Sequence, residues 1–141
     1  MKELLLDLTT IISAAFRGER YHENAARLYE SAQRGVFKLH VLDILILEAE
    51  HLYLTGRVRV DERAWQSFIL DILENPRIGL IMIDGDIFKE HLRLYRGYGG
   101  KYTYFDSFYA AAAITHNLKL VTTDRRLLED EEIPTEDLRR Y

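Results

Sequence analysis

Four short apolar runs constrain this chain more than any other feature: Leu4-Leu5-Leu6, Val36 to Leu42, Ile78 to Ile83, and Leu118 to Val121. Each has the length of a strand and ends at a break in pattern. Between them lie segments with helical spacing. Ala25, Leu28, Tyr29 and Ala32 share one helical face, as do Ala64, Phe68, Ile72 and Leu73. Ile87, Phe88, His91, Leu92 and Tyr95 form a third face, and Phe105, Tyr109, Ala112 and Ala113 a fourth. Strands alternating with helices build βα units and a mostly parallel sheet. Right-handed crossovers then cover that sheet with helices. The expected fold class is α/β, a three-layer α/β/α sandwich with a central mostly parallel sheet, formed by a single domain over residues 1–141. The charged end of the chain, Glu129 to Tyr141, reads as a short strand at Ile133 followed by a surface tail.

Composition narrows the function. At 48% hydrophobic and 30% charged, the chain has a core to bury and is no disordered polymer. It holds no cysteine, which excludes disulfide scaffolds, thiolate zinc sites and cysteine nucleophiles and fits a cytoplasmic protein. No apolar run approaches the ~20 residues of a membrane span. The net charge is −4, from 19 basic and 23 acidic residues. A nucleic-acid role must therefore be local, a basic rim beside an acidic site.

The acids are placed informatively. Asp7 follows the first strand directly, Asp43 the second, Asp84 the third, and Asp124 the fourth. Glu48 lies five residues beyond Asp43, and Asp106 begins the helix leading into the fourth strand. Ligands of an open parallel sheet bind outside the carboxyl ends of its strands, where these acids gather. Asp is also a favoured N-cap, and helices start at this edge. Capping is the preferred reading for Asp43 and Asp84, and Thr103-Tyr104-Phe105-Asp106 matches a capping box. Glu48, in the apolar stretch Ile44 to Ala49, is explained by no cap. Converging carboxylates repel by about 3 kcal/mol per pair at ~5 Å and an effective dielectric of ~20. A hard divalent cation relieves this, and all-oxygen ligation suits Mg²⁺ or Mn²⁺. Glu50 competes with Glu48. The two are about 200° apart on a helix, so only one faces the cleft, and periodicity leaves the choice open.

Four segments resemble the motifs of the PIN-domain nucleases, above all the VapC-like ribonuclease toxins and their archaeal relatives. They are Leu5-Leu6-Asp7-Leu8-Thr9-Thr10-Ile11, Leu42-Asp43-Ile44-Leu45-Ile46-Leu47-Glu48, Thr103-Tyr104-Phe105-Asp106-Ser107 with the alanines that follow, and Leu120-Val121-Thr122-Thr123-Asp124. The resemblance favours Glu48 over Glu50. It implies a four-carboxylate site of Asp7, Glu48, Asp106 and Asp124 that binds Mg²⁺ or Mn²⁺ and hydrolyses RNA phosphodiester bonds. It further implies a homodimer and, for a toxin, an antitoxin protein partner. Asp7 and Asp106 are expected to be the central metal ligands, with Glu48 and Asp124 completing the set.

Thr9, Lys101 and Arg125 are the expected substrate contacts, with Arg17, Arg20 and Arg126 as further cations near the edge. Tyr98, Tyr102 and Tyr104 flank a glycine-rich loop where bases could stack. The alternative to an enzyme is an inactive, PIN-like partner subunit whose acids only cap helices. A receiver-like module is disfavoured, because only Asp7 stands at the first strand. Gly97 to Thr103 lacks phosphate-loop spacing, and the five histidines lack paired ligand spacing.

Overall fold

β1 (Lys2–Leu6) is the middle strand of a parallel sheet in the computed structural model, which describes residues 1–97 and 99–141. β2 (Phe37–Leu42) and β3 (Ile78–Ile81) lie on one side of it, β4 (Lys119–Thr122) and β5 (Thr135–Asp137) on the other. The order is β3-β2-β1-β4-β5, and every pairing is parallel. Leu4, Leu5 and Leu6 are all buried, so β1 shows an unbroken apolar run rather than alternation. That is the mark of a strand covered on both faces.

The helices are α1 (Leu8–Ala15), α2 (His22–Gln33), α3 (Ile44–Leu54), α4 (Glu62–Glu74), α5 (Gly85–Gly97), α6 (Tyr104–His116) and α7 (Arg125–Leu128). α1 and α2 carry the chain from β1 to β2, and α3 and α4 carry it on to β3 in the same direction. α5 and α6 then step back across the sheet to β4. Right-handed crossovers place the first four helices on one face and α5 and α6 on the other. Three layers result, as expected from the sequence.

The two layers of helices are built differently. α4 is amphipathic and buries Trp65, Phe68 and Ile72, and the two rings form an aromatic cluster with Phe16. In α6 every residue from Ser107 to Ala113 is buried. A helix apolar all round must be enclosed, and its alanines let it lie close to both sheet and α5. The α5–α6 contact is aromatic, with His91 stacked on Phe108 at a centroid separation of 3.6 Å. His91 is fully buried, and neither ring nitrogen has a hydrogen-bond partner among the described residues. Burial lowers its pKa and keeps it neutral.

Two boundaries differ from the sequence reading. β3 stops at Ile81, because the Ile83 backbone N–H turns to the Asp43 carboxylate (3.3 Å). The chain end is no loose tail. β5 begins two residues after Ile133, which is itself a core residue, and Leu138 is fully buried. Asn24 and Arg27 donate to the backbone oxygen of Tyr141 at 2.8 and 3.0 Å. Its ring meets the edge of Phe37, and its hydroxyl donates to Glu136, which Lys2 also engages. The sequence shows mostly charge here, and Glu129, Asp130, Glu132, Glu136 and Asp137 each meet a cation. No helix among the described residues is long and apolar enough to cross a membrane.

Candidate active site

The connections leaving β1 and those arriving at β4 diverge, so the neighbouring carboxyl ends of these two strands form the switch point of the sheet. Leu6 and Val121 are in register there. Asp7 follows the one strand and Asp124 the other.

Asp7 is both a cap and a member of the cluster. Its Oδ1 accepts from the Thr10 backbone N–H at 2.8 Å, holding the start of α1. Capping alone does not account for the side chain's neighbours. Thr122, whose side chain works against the rise in the Asp7 pKa, accepts from the Asp124 backbone N–H at 3.1 Å, so one threonine touches the surroundings of both acids. Asp124 caps α7 through the Arg126 backbone N–H (2.9 Å). Asp106 lies in the first turn of α6, where its backbone N–H donates to the Thr103 side chain at 3.1 Å, as the capping box predicts.

α3 from one layer and α6 from the other meet over this edge. The Tyr109 hydroxyl of α6 donates to Glu48 Oε1 of α3 at 2.7 Å. Glu50 faces elsewhere and accepts from Trp65 Nε1 at 2.9 Å, bracing α3 against α4. The tertiary structure thus separates two glutamates that periodicity could not.

Asp7, Glu48, Asp106 and Asp124 share one electrostatic field. Burial pushes Asp7 up, and Asp106 adds to the shift. Burial raises Glu48 against the Tyr109 hydrogen bond, with Asp106 and Asp7 pushing the same way. Asp106 is raised by burial and by Asp124. The Tyr109 hydroxyl is held protonated by burial and by the same acids. Asp124 alone lies below the usual range. Burial pushes it up, but the guanidinium and backbone N–H of Arg126 outweigh that. Arg126 Nη2 stands 3.0 Å from Asp124 and 3.9 Å from Asp106, and its Nη1 donates to the Lys101 carbonyl at 3.0 Å.

No three His, Asp or Glu side chains among the described residues form a ready-made coordination shell. The donor set still fits a hard divalent ion. It is all oxygen, and three of its four carboxylates are raised by burial and mutual repulsion.

The other expected site residues are dispersed. Thr9 is exposed in the first turn of α1. Lys101 pairs with Asp130 at 3.4 Å and Arg125 with Glu129 at 2.9 Å. Tyr102 is buried with its hydroxyl on Asp130, which removes it as a stacking surface. Tyr104 is half exposed, and Tyr98 lies outside the described residues. Asp84 caps α5 through the Ile87 N–H (2.9 Å). Asp43 does not cap. Its backbone is already helical, and its carboxylate bridges to Ile83, with Oδ1 buried and unpartnered among the described residues. Thr122 was foreseen as a hydroxyl able to support a ligand carboxylate, but two participants were missed from sequence. Tyr109 was read only as part of a helix face. Arg126 was read as a phosphate contact, yet it lies across two of the acids.

A parallel α/β/α sandwich with interacting acids at its switch point is the architecture of the PIN-like nucleases. The family described as PIN domain matches residues 5–130, and the chain belongs to it. Solved structures agree on the fold. VapBC2 from Rickettsia felis, bound to a DNA fragment from its promoter, is 20% identical with a TM-score of 0.69, over 96% of this chain and 98% of that one. PAE2754 from Pyrobaculum aerophilum is 23% identical with a TM-score of 0.67, over 99% and 85%. FitAcB from Neisseria gonorrhoeae is 14% identical with a TM-score of 0.71, over 98% and 99%. None of the curated proteins matches the sequence.

Proposed function

We propose that this chain is a Mg²⁺- or Mn²⁺-dependent endoribonuclease of VapC type. One observation carries the reading. Asp7, which is buried, and Glu48 and Asp106, which are half-buried, come from three separate elements and are held above their ordinary pKa values by burial and by neighbouring carboxylates. A fold retains that repulsion where a cation is to be bound.

Asp7 and Asp106 are the central ligands, with Glu48 and Asp124 completing the set directly or through water. A bound divalent ion supplies an activated water and charge neutralisation at the phosphate. The chain's residues supply position. Thr122 holds the Asp124 backbone, and Tyr109 fixes the Glu48 carboxylate by donating to Oε1. Tyr109 stays protonated, so it acts as a donor and not as a base. Arg126 balances Asp124 and Asp106 and must yield part of that contact to an incoming cation. Of the expected RNA contacts, Thr9 is exposed and free to serve, whereas Lys101 and Arg125 would reach the RNA only by leaving Asp130 and Glu129.

The structures of VapBC2 from Rickettsia felis and of VapBC from Salmonella typhimurium are complexes bound to DNA, and one from Klebsiella pneumoniae is a toxin–antitoxin complex. By that likeness this chain is a cytoplasmic toxin, working as a homodimer and restrained by an antitoxin that places a cationic side chain among the acids.

The test is cleavage of RNA by the purified chain with Mg²⁺ or Mn²⁺. Cleavage that persists in a chelator, or in Asp106→Asn at the wild-type rate, defeats the proposal.

A further inference from the structure

An anionic pocket cannot by itself hold a polyanion, so the cations that grip RNA must stand elsewhere. Those nearest the pocket are engaged. Arg126 is spent on Asp124 and Asp106, Arg125 on Glu129, and Lys101 on Asp130. A second group is not. An open groove of about 400 Å³ runs between the α1–α2 loop and the α3–α4 loop, lined by residues 16–19 and 57–60. Its arginines are Arg17, Arg57 and Arg59, all exposed, and none has an ion-pair partner among the described residues. Glu19 is the one acid lining it, which leaves three positive charges against one negative. Just outside the lining, Arg20 and Arg63 are matched by Glu23, Asp61 and Glu62, so the positive excess belongs to the groove lining itself. In a chain of net charge −4, such a concentration of uncompensated guanidinium is a local feature.

α1 joins the groove to the pocket. Asp7 caps its first turn and Phe16, in the groove wall, ends it. Eight helical residues span about 12 Å, the length of two or three nucleotides of extended strand. Guanidinium forks match phosphate oxygens bidentately. Two facing loops of them track a backbone rather than a single phosphate.

Resting on the nuclease reading above, we infer that the groove between the α1–α2 and α3–α4 loops binds the phosphate backbone of single-stranded RNA, two or three nucleotides from the bond at the acidic pocket, through Arg17, Arg57 and Arg59.

The experiment measures binding of a fluorescein-labelled 12-mer oligouridylate by anisotropy, in chelator so that nothing is cut, between about 50 and 200 mM salt. The full chain is compared with the triple variant Arg17→Gln, Arg57→Gln, Arg59→Gln. A charge-matched control is Arg34→Gln, Lys38→Gln, Arg77→Gln, at the amino ends of β2 and β3. Metal-dependent hydrolysis of bis(p-nitrophenyl) phosphate, too short to reach the groove, reports the pocket separately. The groove variant is expected to bind at least about tenfold more weakly, with a salt slope shallower by about 2, since each single-strand phosphate contact is worth about 0.7. The control should keep wild-type affinity, and the small diester should be cut alike by all three. Equal oligouridylate binding by the three proteins overturns the groove while leaving the nuclease intact. Loss of affinity equal in groove variant and control overturns it too, as bulk charge. Tighter binding of an oligoglutamate peptide than of oligouridylate overturns it in favour of an acidic protein partner. Failure of the wild type to cut the small diester strikes the nuclease reading instead.

Discussion

Two acidic regions of this molecule are built on opposite electrostatic plans. At the chain end, Glu136 is met by Lys2 and Tyr141, and Asp137 by Arg139 at 2.8 Å. Both carboxylates are held below their ordinary range. The leading influence on Glu136 is burial, which opposes the shift but is outweighed by those two hydrogen bonds, and on Asp137 it is the Arg139 hydrogen bond. At the switch point, buried Asp7 and half-buried Glu48 and Asp106 have too little compensation and are held above it. The tail acids stabilise the fold as it stands, while the switch-point acids cost stability until a cation arrives. Acid count separates these regions poorly, whereas the sign of the pKa shift separates Asp7, Glu48 and Asp106 from the tail pair, and Asp124 sides with the tail acids because Arg126 pairs with it.

The sharpest test of that contrast is activity. Asp106→Asn should lower metal-dependent RNA cleavage more than about 100-fold, whereas Asp137→Asn should leave it within about twofold in the same gel assay. Equal losses would erase the distinction. Metal binding comes next. Mn²⁺ at about 100 times its Kd should stabilise the wild type by about 2.7 kcal/mol, read as a rise in Tm. The rise should persist in Asp137→Asn and vanish in Asp7→Asn.

Without metal, the two regions should respond to pH with opposite signs. Asp7, Glu48 and Asp106 bind protons more tightly in the folded chain, so from about pH 4 up to their raised pKa values the native state holds more protons and stability falls as pH rises. Glu136 and Asp137 bind protons less tightly when folded, so the stability they add is present above about pH 4 and is lost as pH falls. In Tm measured against pH, Asp7→Asn should flatten the first trend and Asp137→Asn the second. At neutral pH without metal, Asp106→Asn should be the more stable chain by roughly 1 kcal/mol, about 3 °C in Tm. Asp137→Asn should lose up to about 1 kcal/mol, because its partner is half exposed. The smallest effect belongs to α3, where Glu50→Ala should cost about 1 kcal/mol through the Trp65 hydrogen bond and spare cleavage. A cleavage defect there would move the site to the other face of the helix.

Much of this was legible in the residues. The runs at β1, β2 and β4 are strand-length and apolar because both faces of the sheet are covered, and alternation with helical segments dictates parallel pairing. The acids that follow each strand marked the functional edge, because a parallel sheet sends every strand's carboxyl end to one side. Asp43 shows the limit, since position alone suggested a cap. Its carboxylate crosses to Ile83 instead, a contact 40 residues away that local spacing cannot encode. The chain end shows the same limit, where a stretch that reads as solvated tail is tied to β1 through Lys2 and Glu136 and to α2 through Asn24, Arg27 and the Tyr141 carbonyl.

The sequence by itself determined the layered parallel fold and the edge at which its chemistry must sit, because hydrophobic periodicity and strand direction are local and additive. Only the tertiary structure decided which acids share a field. It turned Glu48 to Tyr109 and Glu50 to Trp65, laid Arg126 across Asp124 and Asp106, and left Arg17, Arg57 and Arg59 facing one groove. Charge acts through distance, and the distances between residues far apart in the chain exist only after it has folded.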